Sequence, residues 1–260
     1  MTILDKLADH AKERCAQAKK KRPLATLKEM AFSLPHGGFA LEKALSKPGI
    51  SFICECKKAS PSKGVIAPDY PYLAIAKEYE AAGADGISVL TEPKWFLGSD
   101  THLQEIASQV SLPCLRKDFT VDAYMLYEAK VLGASAVLLI CAILEEGQIR
   151  EYISICDELG LSVLVETHDE KEIEMALSAN ARMIGVNNRN LKDFSVDTEN
   201  SVRLKSLIPS DVLFVSESGV SSGEDVAKLY AMGADAVLVG EALMRATDKK
   251  AKLLELRGKV

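Results

Sequence analysis

The chain has 260 residues, of which 48% are hydrophobic and 27% are charged, as is typical of a globular protein with enough apolar material for a core. Its formal net charge of −5 gives no general attraction to nucleic acid, and no apolar run approaches the roughly 20 residues that a membrane span needs. The opening MTILDKLADH is amphipathic and carries acidic residues, unlike a secretory signal, so we expect a cytoplasmic protein with no membrane partner.

The first fifty residues predict helices. Apolar residues recur at helical spacing over residues 2–20, at Ile3, Leu7, Ala11 and Cys15. Shorter helices are predicted over 24–34 and 39–45. The basic run KKKR at 19–22 is interpreted as a solvated helix end, with a cap that helps to hold an anionic substrate as the alternative. We expect residues 1–50 to be a helical extension capping the rest of one domain, residues 1–260.

From residue 51 onward one pattern recurs: a small-residue turn with glycine, a β-branched apolar run, and a polar residue where the run stops. It appears as AAGADGISVLTE (81–92), VLGASAVLLI (131–140), ELGLSVLVE (158–166) and AMGADAVLVG (231–240). The glycines of these segments lie near multiples of a step of about 25 residues, the length of one strand plus one helix.

Eight strands are predicted, separated by segments of helical periodicity. They cover 51–57, 86–90, 113–117, 136–140, 162–166, 182–187, 212–217 and 235–239. Most runs are apolar on both faces, as strands between a barrel interior and a helical layer should be. The pattern predicts a single (β/α)₈ TIM barrel over residues 51–260. A doubly wound open sheet is the alternative, but no G-x-G-x-x-G follows the first strand.

Active sites of such barrels form at the carboxyl ends of the strands. The polar residues that end strands are Glu55, Lys57, Lys117, Glu166, Asn187 and Glu217. Any one of them alone is explained by the start of a solvated loop. Because side chains alternate along a strand, Glu55 and Lys57 share a face, and burial against the helices would be costly, so we expect them at the barrel mouth. Three carboxylates and two lysines at one rim indicate acid/base chemistry on an anionic substrate.

The last two strand ends predict a phosphate site. SESGV at 216–220 and LVGEA at 238–242 each place a glycine turn before a helix, where backbone N–H groups bind anions. Ser60 and Arg189, after other strands, are candidate further donors. No His, Cys or carboxylate cluster has metal-ligand spacing, so we expect no metal. The six cysteines lack a C-x-x-C pair and are expected to be buried thiols. His168 lies two residues past Glu166 and is expected on the surface, with contact at the mouth as the alternative.

Several stretches resemble indole-3-glycerol-phosphate synthase, an enzyme family of tryptophan biosynthesis. FICECKKASPSKG at 52–64 carries the specific pattern E-x-K-x-x-S-P-S after the first strand. LTEPKWF (90–96), LRKDF (115–119), IGVNNRNL (184–191) and SESG (216–219) follow in the same order. The resemblance covers nearly the whole chain, including the helical extension.

The resemblance implies a ring closure without a cofactor. Enzymes of this family convert 1-(2-carboxyphenylamino)-1-deoxyribulose 5-phosphate to indole-3-glycerol phosphate, releasing carbon dioxide and water. The small phosphosugar-anthranilate substrate is then the expected partner. Such an enzyme is a carboxy-lyase, and the reaction needs an acid at the ketone oxygen, a fixed carboxylate and a proton shuttle for dehydration.

The catalytic roles follow from the same resemblance. Lys117 matches the general acid, and Glu166 matches the general base. Lys57 matches the lysine that holds the substrate carboxylate, and it is also a candidate acid for dehydration. The sequence leaves open which lysine serves which step.

The remaining implied residues hold the reactants. Glu55 matches the carboxylate beside Lys57 and the reacting amine, and Asn187 and Glu217 match residues that bind sugar hydroxyls and orient the lysines. The implied phosphate contacts are Ser60, Arg189, Ser218, Gly219, Gly240 and Glu241, the last through its backbone. The anthranilate pocket would be lined by Phe96, Phe119 and Leu138.

Two other functions remain compatible with the residues. In a Schiff-base aldolase of the same fold, Lys117 or Lys57 would attack a carbonyl as a nucleophile. A non-catalytic phosphosugar-binding barrel is the other, because fold does not imply function. The lack of an obvious hydrophobic excess favours a monomer.

Overall fold

A computed structural model describes residues 2–190 and 194–258, so that Leu191, the last residue of the IGVNNRNL stretch, lies outside the described residues. Within them, eight parallel strands form a closed barrel, each bonded to its neighbours in chain order and the last to the first. The strands are β1 Ser51–Cys56, β2 Gly86–Leu90, β3 Cys114–Lys117, β4 Ala136–Ile140, β5 Ser162–Thr167, β6 Met183–Asn187, β7 Leu213–Glu217 and β8 Ala236–Val239. The predicted TIM barrel is confirmed and the open sheet is wrong.

Helices surround the barrel. Before it come α1 Ile3–Lys21, α2 Leu24–Ser33 and α3 Ala40–Leu45. The others are α4 Tyr72–Ala81, α5 Asp100–Gln109, α6 Tyr124–Val131, α7 Glu146–Leu159, α8 Glu170–Ser178, α9 Glu199–Lys205, α10 Gly223–Ala231, α11 Glu241–Arg245 and α12 Lys249–Arg257. A 3₁₀ turn spans Cys141–Ile143, and Ala59–Ser60 pairs with Gly64–Val65 in a small hairpin. No helix within these ranges is long and apolar enough to cross a membrane.

The recurring glycines end helices. Gly83, Gly133, Gly160 and Gly233 follow α4, α6, α7 and α10, and their φ angles lie between +69° and +92°. That left-handed conformation closes a helix at little steric cost only for glycine, and it turns the chain back toward the next strand. The repeat in the sequence is therefore the helix stop that precedes each of these strands.

The strands have two apolar faces because each is packed on both sides. On β1, Phe52, Cys54 and Cys56 join the cluster between the sheet and the helices, whereas Ile53 joins the barrel interior. Alternation then turns Glu55 inward, as predicted. The six cysteines are all buried and free, which confirms that expectation.

The helical extension contacts both ends of the barrel. At the carboxyl end of the strands, Arg14 of α1 forms a bidentate ion pair of 2.6 and 3.1 Å with Asp118, the residue after β3. At the other end, Leu41 of α3 packs against Gly86, and the Glu42 N–H donates to Ser162 Oγ. The α1 helix thus lies over the mouth that was expected to be catalytic.

The basic run at 19–22 forms the end of α1, beside the loop that follows β3. Lys19 pairs with Asp122 at 2.6 Å, and the three residues that follow are exposed. This position agrees with the solvated helix end, whereas the alternative, a role in holding an anionic substrate, stays a prediction.

Candidate active site

A cavity of about 680 Å³ lies at the carboxyl ends of the strands, beneath α1. Every predicted site residue lines it: Glu55, Lys57, Ser60, Phe96, Lys117, Phe119, Leu138, Glu166, Asn187, Arg189, Glu217, Ser218, Gly219, Gly240 and Glu241. The first turns of α1 add Ile3, Leu4 and Leu7, which sequence reasoning did not assign to the site. The geometry therefore brings the whole predicted set around one space, while the role of each residue remains a proposal.

Lys117 lies among buried carboxylates at the base of the cavity. Its Nζ is 2.8 Å from Glu166 Oε2 and 3.0 Å from Glu217 Oε2. Both carboxylates are almost wholly buried, and the lysine side chain is 13% exposed. The residues lie at the carboxyl ends of β3, β5 and β7, alternate strands of the barrel, whose inward side chains meet at the axis.

Electrostatic interactions among the buried side chains determine the charges of Lys117 and Glu166. Burial opposes the charged form of Lys117, but the carboxylates of Glu166, Glu217 and Glu55 outweigh it and raise the pKa of the ammonium. Burial likewise opposes ionisation of Glu166, but Lys117, His168 and a hydrogen bond from Asn187 lower its pKa. We therefore assign an ammonium at Lys117 and a carboxylate at Glu166.

Glu217 is the exception among the carboxylates. Burial and the neighbouring charges of Glu166 and Glu55 raise its pKa to about 7, although Lys117 acts in the opposite direction. Its Oε1 has no hydrogen-bond partner and lies over Gly185, where an added Cβ would come within 2.1 Å. The glycine thus makes room for a carboxyl group that changes protonation state near neutral pH.

A second ion pair lies at β1. Lys57 Nζ is 2.5 Å from Glu55 Oε1, and Ser88 Oγ donates to Glu55 Oε2 at 3.3 Å. Gly240 borders the pair closely, because a Cβ there would lie 2.4 Å from Glu55 Oε1 and 2.9 Å from Lys57 Nζ. Gly240 is therefore needed for space beside the ion pair as well as for the turn into α11.

The predicted phosphate residues line one part of the cavity wall. Asn187 Oδ1 accepts bonds from the Arg189 N–H at 3.0 Å and from Ser218 Oγ at 2.9 Å, which ties two of the loops together. Gly219 has a φ of +92°, and a side chain there would collide with Thr198. The backbone is thus exposed where an anion would approach.

Glu241 does not oppose an anion as strongly as its charge suggests. Its side chain is turned to Arg245 at 3.0 Å and lies 3.7 Å from Lys63. Arg245 and Lys63 also line the cavity, and sequence reasoning missed both. The basic residue that ends the SPSK stretch was an available signal for Lys63, whereas nothing local marks Arg245.

The opposite wall is apolar. The rings of Phe96 and Phe119 lie with centroids 6.1 Å apart and planes at 42°, and Leu138 is buried beside the barrel interior. Leu4 and Leu7 of α1 complete this side. Such a wall suits an aromatic ring, which gains from apolar contact.

His168 was expected on the surface, and that expectation is wrong. Its side chain is 19% exposed, with Nε2 3.6 Å from Glu166 Oε1 and Nδ1 3.1 Å from Glu172 Oε2. Glu166 and His168 are two residues apart, and strand alternation was the signal that would have placed them on one side. Burial lowers the pKa of His168, but the bond to Glu172 and the charge of Glu166 outweigh it, so the pKa is raised.

The cavity thus combines a buried ammonium, ionised and protonatable carboxyl groups, a wall of cations and open backbone, and an aromatic slot. The sequence profile of the indole-3-glycerol phosphate synthase family matches residues 4–256. The chain belongs to the indole-3-glycerol phosphate synthase family.

Curated proteins named indole-3-glycerol phosphate synthase are similar to this chain along their full length. The indole-3-glycerol phosphate synthase of Ruminiclostridium cellulolyticum is 54% identical over 257 residues, covering 98% of this chain and 99% of that protein. That of Endomicrobium trichonymphae is 51% identical over 256 residues, with 98% and 99% covered. The family resemblance inferred from short motifs is therefore confirmed.

Solved structures of proteins outside the indole-3-glycerol phosphate synthase family share the barrel fold. The 3-hexulose-6-phosphate synthase of Salmonella typhimurium aligns with a TM-score of 0.67 at 15% identity, covering 80% of this chain and 97% of that one. A mutant tryptophan synthase α-subunit of Pyrococcus furiosus aligns with a TM-score of 0.61 at 18% identity, covering 80% and 98%. At these identities the likeness concerns the barrel alone.

Proposed function

We propose that this protein is an indole-3-glycerol phosphate synthase of tryptophan biosynthesis, a carboxy-lyase that closes the indole ring of 1-(2-carboxyphenylamino)-1-deoxyribulose 5-phosphate. The observation that carries the proposal is the ammonium of Lys117 held between Glu166 and Glu217 in the mouth of a barrel from this family. Acid and base groups in contact are what a ring closure followed by dehydration requires.

The reaction has a definite proton balance. The ring carbon that bears the carboxylate bonds to the ketone carbon, and one acid proton goes to the ketone oxygen. The carboxylate leaves as carbon dioxide, and the electron pair of its bond returns to the ring. The new hydroxyl then leaves as water with a second acid proton, while a base takes one proton from the ring-closed intermediate. Two protons are donated and one is recovered, so each turnover takes one proton from solvent.

Lys117 is the proposed acid at the ketone oxygen. A nucleophilic lysine must lose its proton, and a lowered pKa favours that. The three surrounding carboxylates instead raise the pKa of Lys117 and keep it charged. This argues for proton donation and electrostatic stabilisation of the developing oxyanion over Schiff-base chemistry.

Glu166 is the proposed base, and Lys57 holds the substrate carboxylate. Glu166 is ionised and touches Lys117, so a proton that it collects can return to the acid. Lys57 is partly exposed, and its ion pair with Glu55 holds Nζ at the cavity. Asn187 and Glu217 hold sugar hydroxyls and orient the lysines.

Binding groups divide between the two walls. Arg189, Ser60 and the backbone around Ser218, Gly219, Gly240 and Glu241 take the phosphate. Phe96, Phe119 and Leu138 take the anthranilate ring. The two walls face one cavity. A substrate bound to both has its reacting carbons next to Lys117 and Glu166.

Fluorescence of the indole product tests the proposal. The wild type should convert the named substrate, and Lys117→Ala should lose at least about a hundredfold in kcat. No turnover by the wild type would contradict the synthase, and full activity of Lys117→Ala would contradict the assigned acid. Borohydride treatment with substrate should leave both lysines unmodified, because neither forms a covalent bond to substrate in this proposal. A trapped adduct at Lys117 or Lys57 would instead indicate Schiff-base chemistry.

A further inference from the structure

His168 lies on the far side of Glu166 from Lys117. Lys117 Nζ contacts Glu166 Oε2, whereas His168 Nε2 faces Glu166 Oε1 at 3.6 Å. The Nε2 atom is buried and makes no hydrogen bond. The two oxygens of one carboxylate are thus divided between an acid in the active-site cavity and an imidazole behind it.

The ring orientation of His168 is set by α8. Glu172 Oε2 accepts from the His168 backbone N–H at 2.7 Å and lies 3.1 Å from Nδ1. A carboxylate acceptor requires a hydrogen on Nδ1, so a neutral ring would present the Nε2 lone pair to Glu166. The doubly protonated ring avoids that repulsion and presents an N–H to each carboxylate.

A second cavity reaches His168 from outside the active site. It has a volume of about 500 Å³, and polar groups of His168, Asp169, Glu172 and Asn200 line it. It shares Leu4, Asn187 and Arg189 with the active-site cavity, whose described lining does not include His168. The imidazole therefore lies between Glu166 and a second polar space that adjoins the active-site cavity.

We propose that His168 is a positioning residue that relays protons from solvent in the second cavity to Glu166. The Nε2–H proton passes to Glu166 Oε1 and leaves a neutral ring whose hydrogen is on Nδ1. The ring then turns to bring Nε2 to the second cavity, takes one proton there from solvent and turns back, so the relay is unchanged after each cycle. Glu166 then hands the proton to Lys117 through the 2.8 Å contact on its other oxygen. This supplies the one solvent proton that each turnover consumes, and it rests on the proposed function.

The charged groups around His168 favour this role. It is faced by Glu166 of β5, Glu172 of α8 and Glu217 of β7, and the second cavity is further lined by Asp169, Asp197 and Arg189. The carboxylates of Glu172, Glu166 and Glu217 stabilise the imidazolium, while the contact with Lys117 stabilises the carboxylate of Glu166. The proton therefore stays on the histidine in the resting site and moves to Glu166 once Lys117 has given its own proton to the substrate, because Glu166 then lacks its neighbouring cation.

Chemical rescue tests the relay. His168→Ala should lower kcat by about tenfold to a hundredfold with little change in KM, and added imidazole should restore kcat in proportion to its concentration. His102→Ala is the matched control, because His102 is also a partly buried histidine but lines neither cavity among the described residues. It should keep the kcat of the wild type and show no response to imidazole.

Two outcomes of that assay would overturn the relay: unchanged kcat in His168→Ala, or a loss in a folded variant that imidazole does not restore. An inactive wild type would instead contradict the proposed function itself.

The contact can be measured without activity. NMR titration of the His168 ring in the unsubstituted protein and in Glu166→Gln should show a lower pKa in the variant, because one of its carboxylates is lost. The chain has four histidines, so His168→Asn, which keeps a donor near the Nδ1 position, identifies the resonance. An unchanged His168 titration in Glu166→Gln would contradict the proposed coupling.

Discussion

Lys117 Nζ lies 2.8 Å from Glu166 Oε2, although 49 residues separate them along the chain. The contact joins an acid and a base before any substrate arrives. Because both side chains are largely buried, neither is charged independently of the other. Substitution of one residue should therefore change both chemistry and stability.

Removal of the lysine charge should cost both activity and stability. Lys117→Met leaves Glu166 and Glu217 buried without their cation, so we expect a loss of about 3–5 kcal/mol in the free energy of unfolding. We also expect kcat to fall by about a hundredfold or more. Urea unfolding and the indole assay measure the two effects.

The double variant Lys117→Met/Glu217→Gln separates them. Removal of one unpaired carboxylate should recover part of the stability, whereas activity should stay low because the acid is absent. Recovered activity in the double variant would contradict the acid role of Lys117.

Gly240→Ala should disturb the Glu55–Lys57 pair. The backbone φ of −116° accepts alanine, but the added Cβ would lie 2.4 Å from Glu55 Oε1. We expect kcat to fall by about tenfold as the ammonium is displaced. Gly147→Ala in α7 is the control, since nothing lies within 4 Å of its Cβ position, and it should leave steady-state kinetics unchanged.

Glu217→Gln should change how stability depends on pH. Between the usual carboxyl range and the pKa of about 7, the folded protein holds a proton at Glu217 that the unfolded chain has lost. The free energy of unfolding therefore falls as pH rises through this window. The glutamine removes that dependence, so relative to wild type the variant should gain on the order of 2 kcal/mol between about pH 5 and pH 8.

Urea unfolding at both pH values measures this difference. The exposed residue Glu29, changed to glutamine, supplies the control. An equal pH response in the Glu217 and Glu29 variants would show that Glu217 titrates as an ordinary carboxyl.

Arg189→Gln should weaken phosphate binding. A charge-assisted bond to phosphate contributes roughly 1.5–3 kcal/mol, so KM should rise by about tenfold to a hundredfold while kcat changes less. Arg182→Gln is the matched control, because it precedes the same strand at the opposite barrel end and pairs with Glu42 and Asp157. The phosphate assignment fails if the two variants raise KM alike.

Much of the scaffold follows from local sequence. The helix-stopping glycines, the apolar runs and the polar residues that end them predict the strand ends to within one residue, because each signal acts over one turn or one strand. Strand alternation also turned Glu55 and Lys57 toward the mouth. The family motifs then named every residue of the cavity that was proposed to act on substrate.

Only the tertiary structure decided how these residues meet. Closure of the barrel sets Lys117 between Glu166 and Glu217, and the packing of α1 over the mouth adds Ile3, Leu4 and Leu7 to the site. Local periodicity specifies the face of a strand but not the distance between two strand ends, which depends on register and closure of the whole sheet. Strand alternation, a local signal, placed Glu166 at the mouth from the sequence alone. The contact of His168 with Glu172 depends on the packing of α8, so only the tertiary structure placed the imidazole behind Glu166.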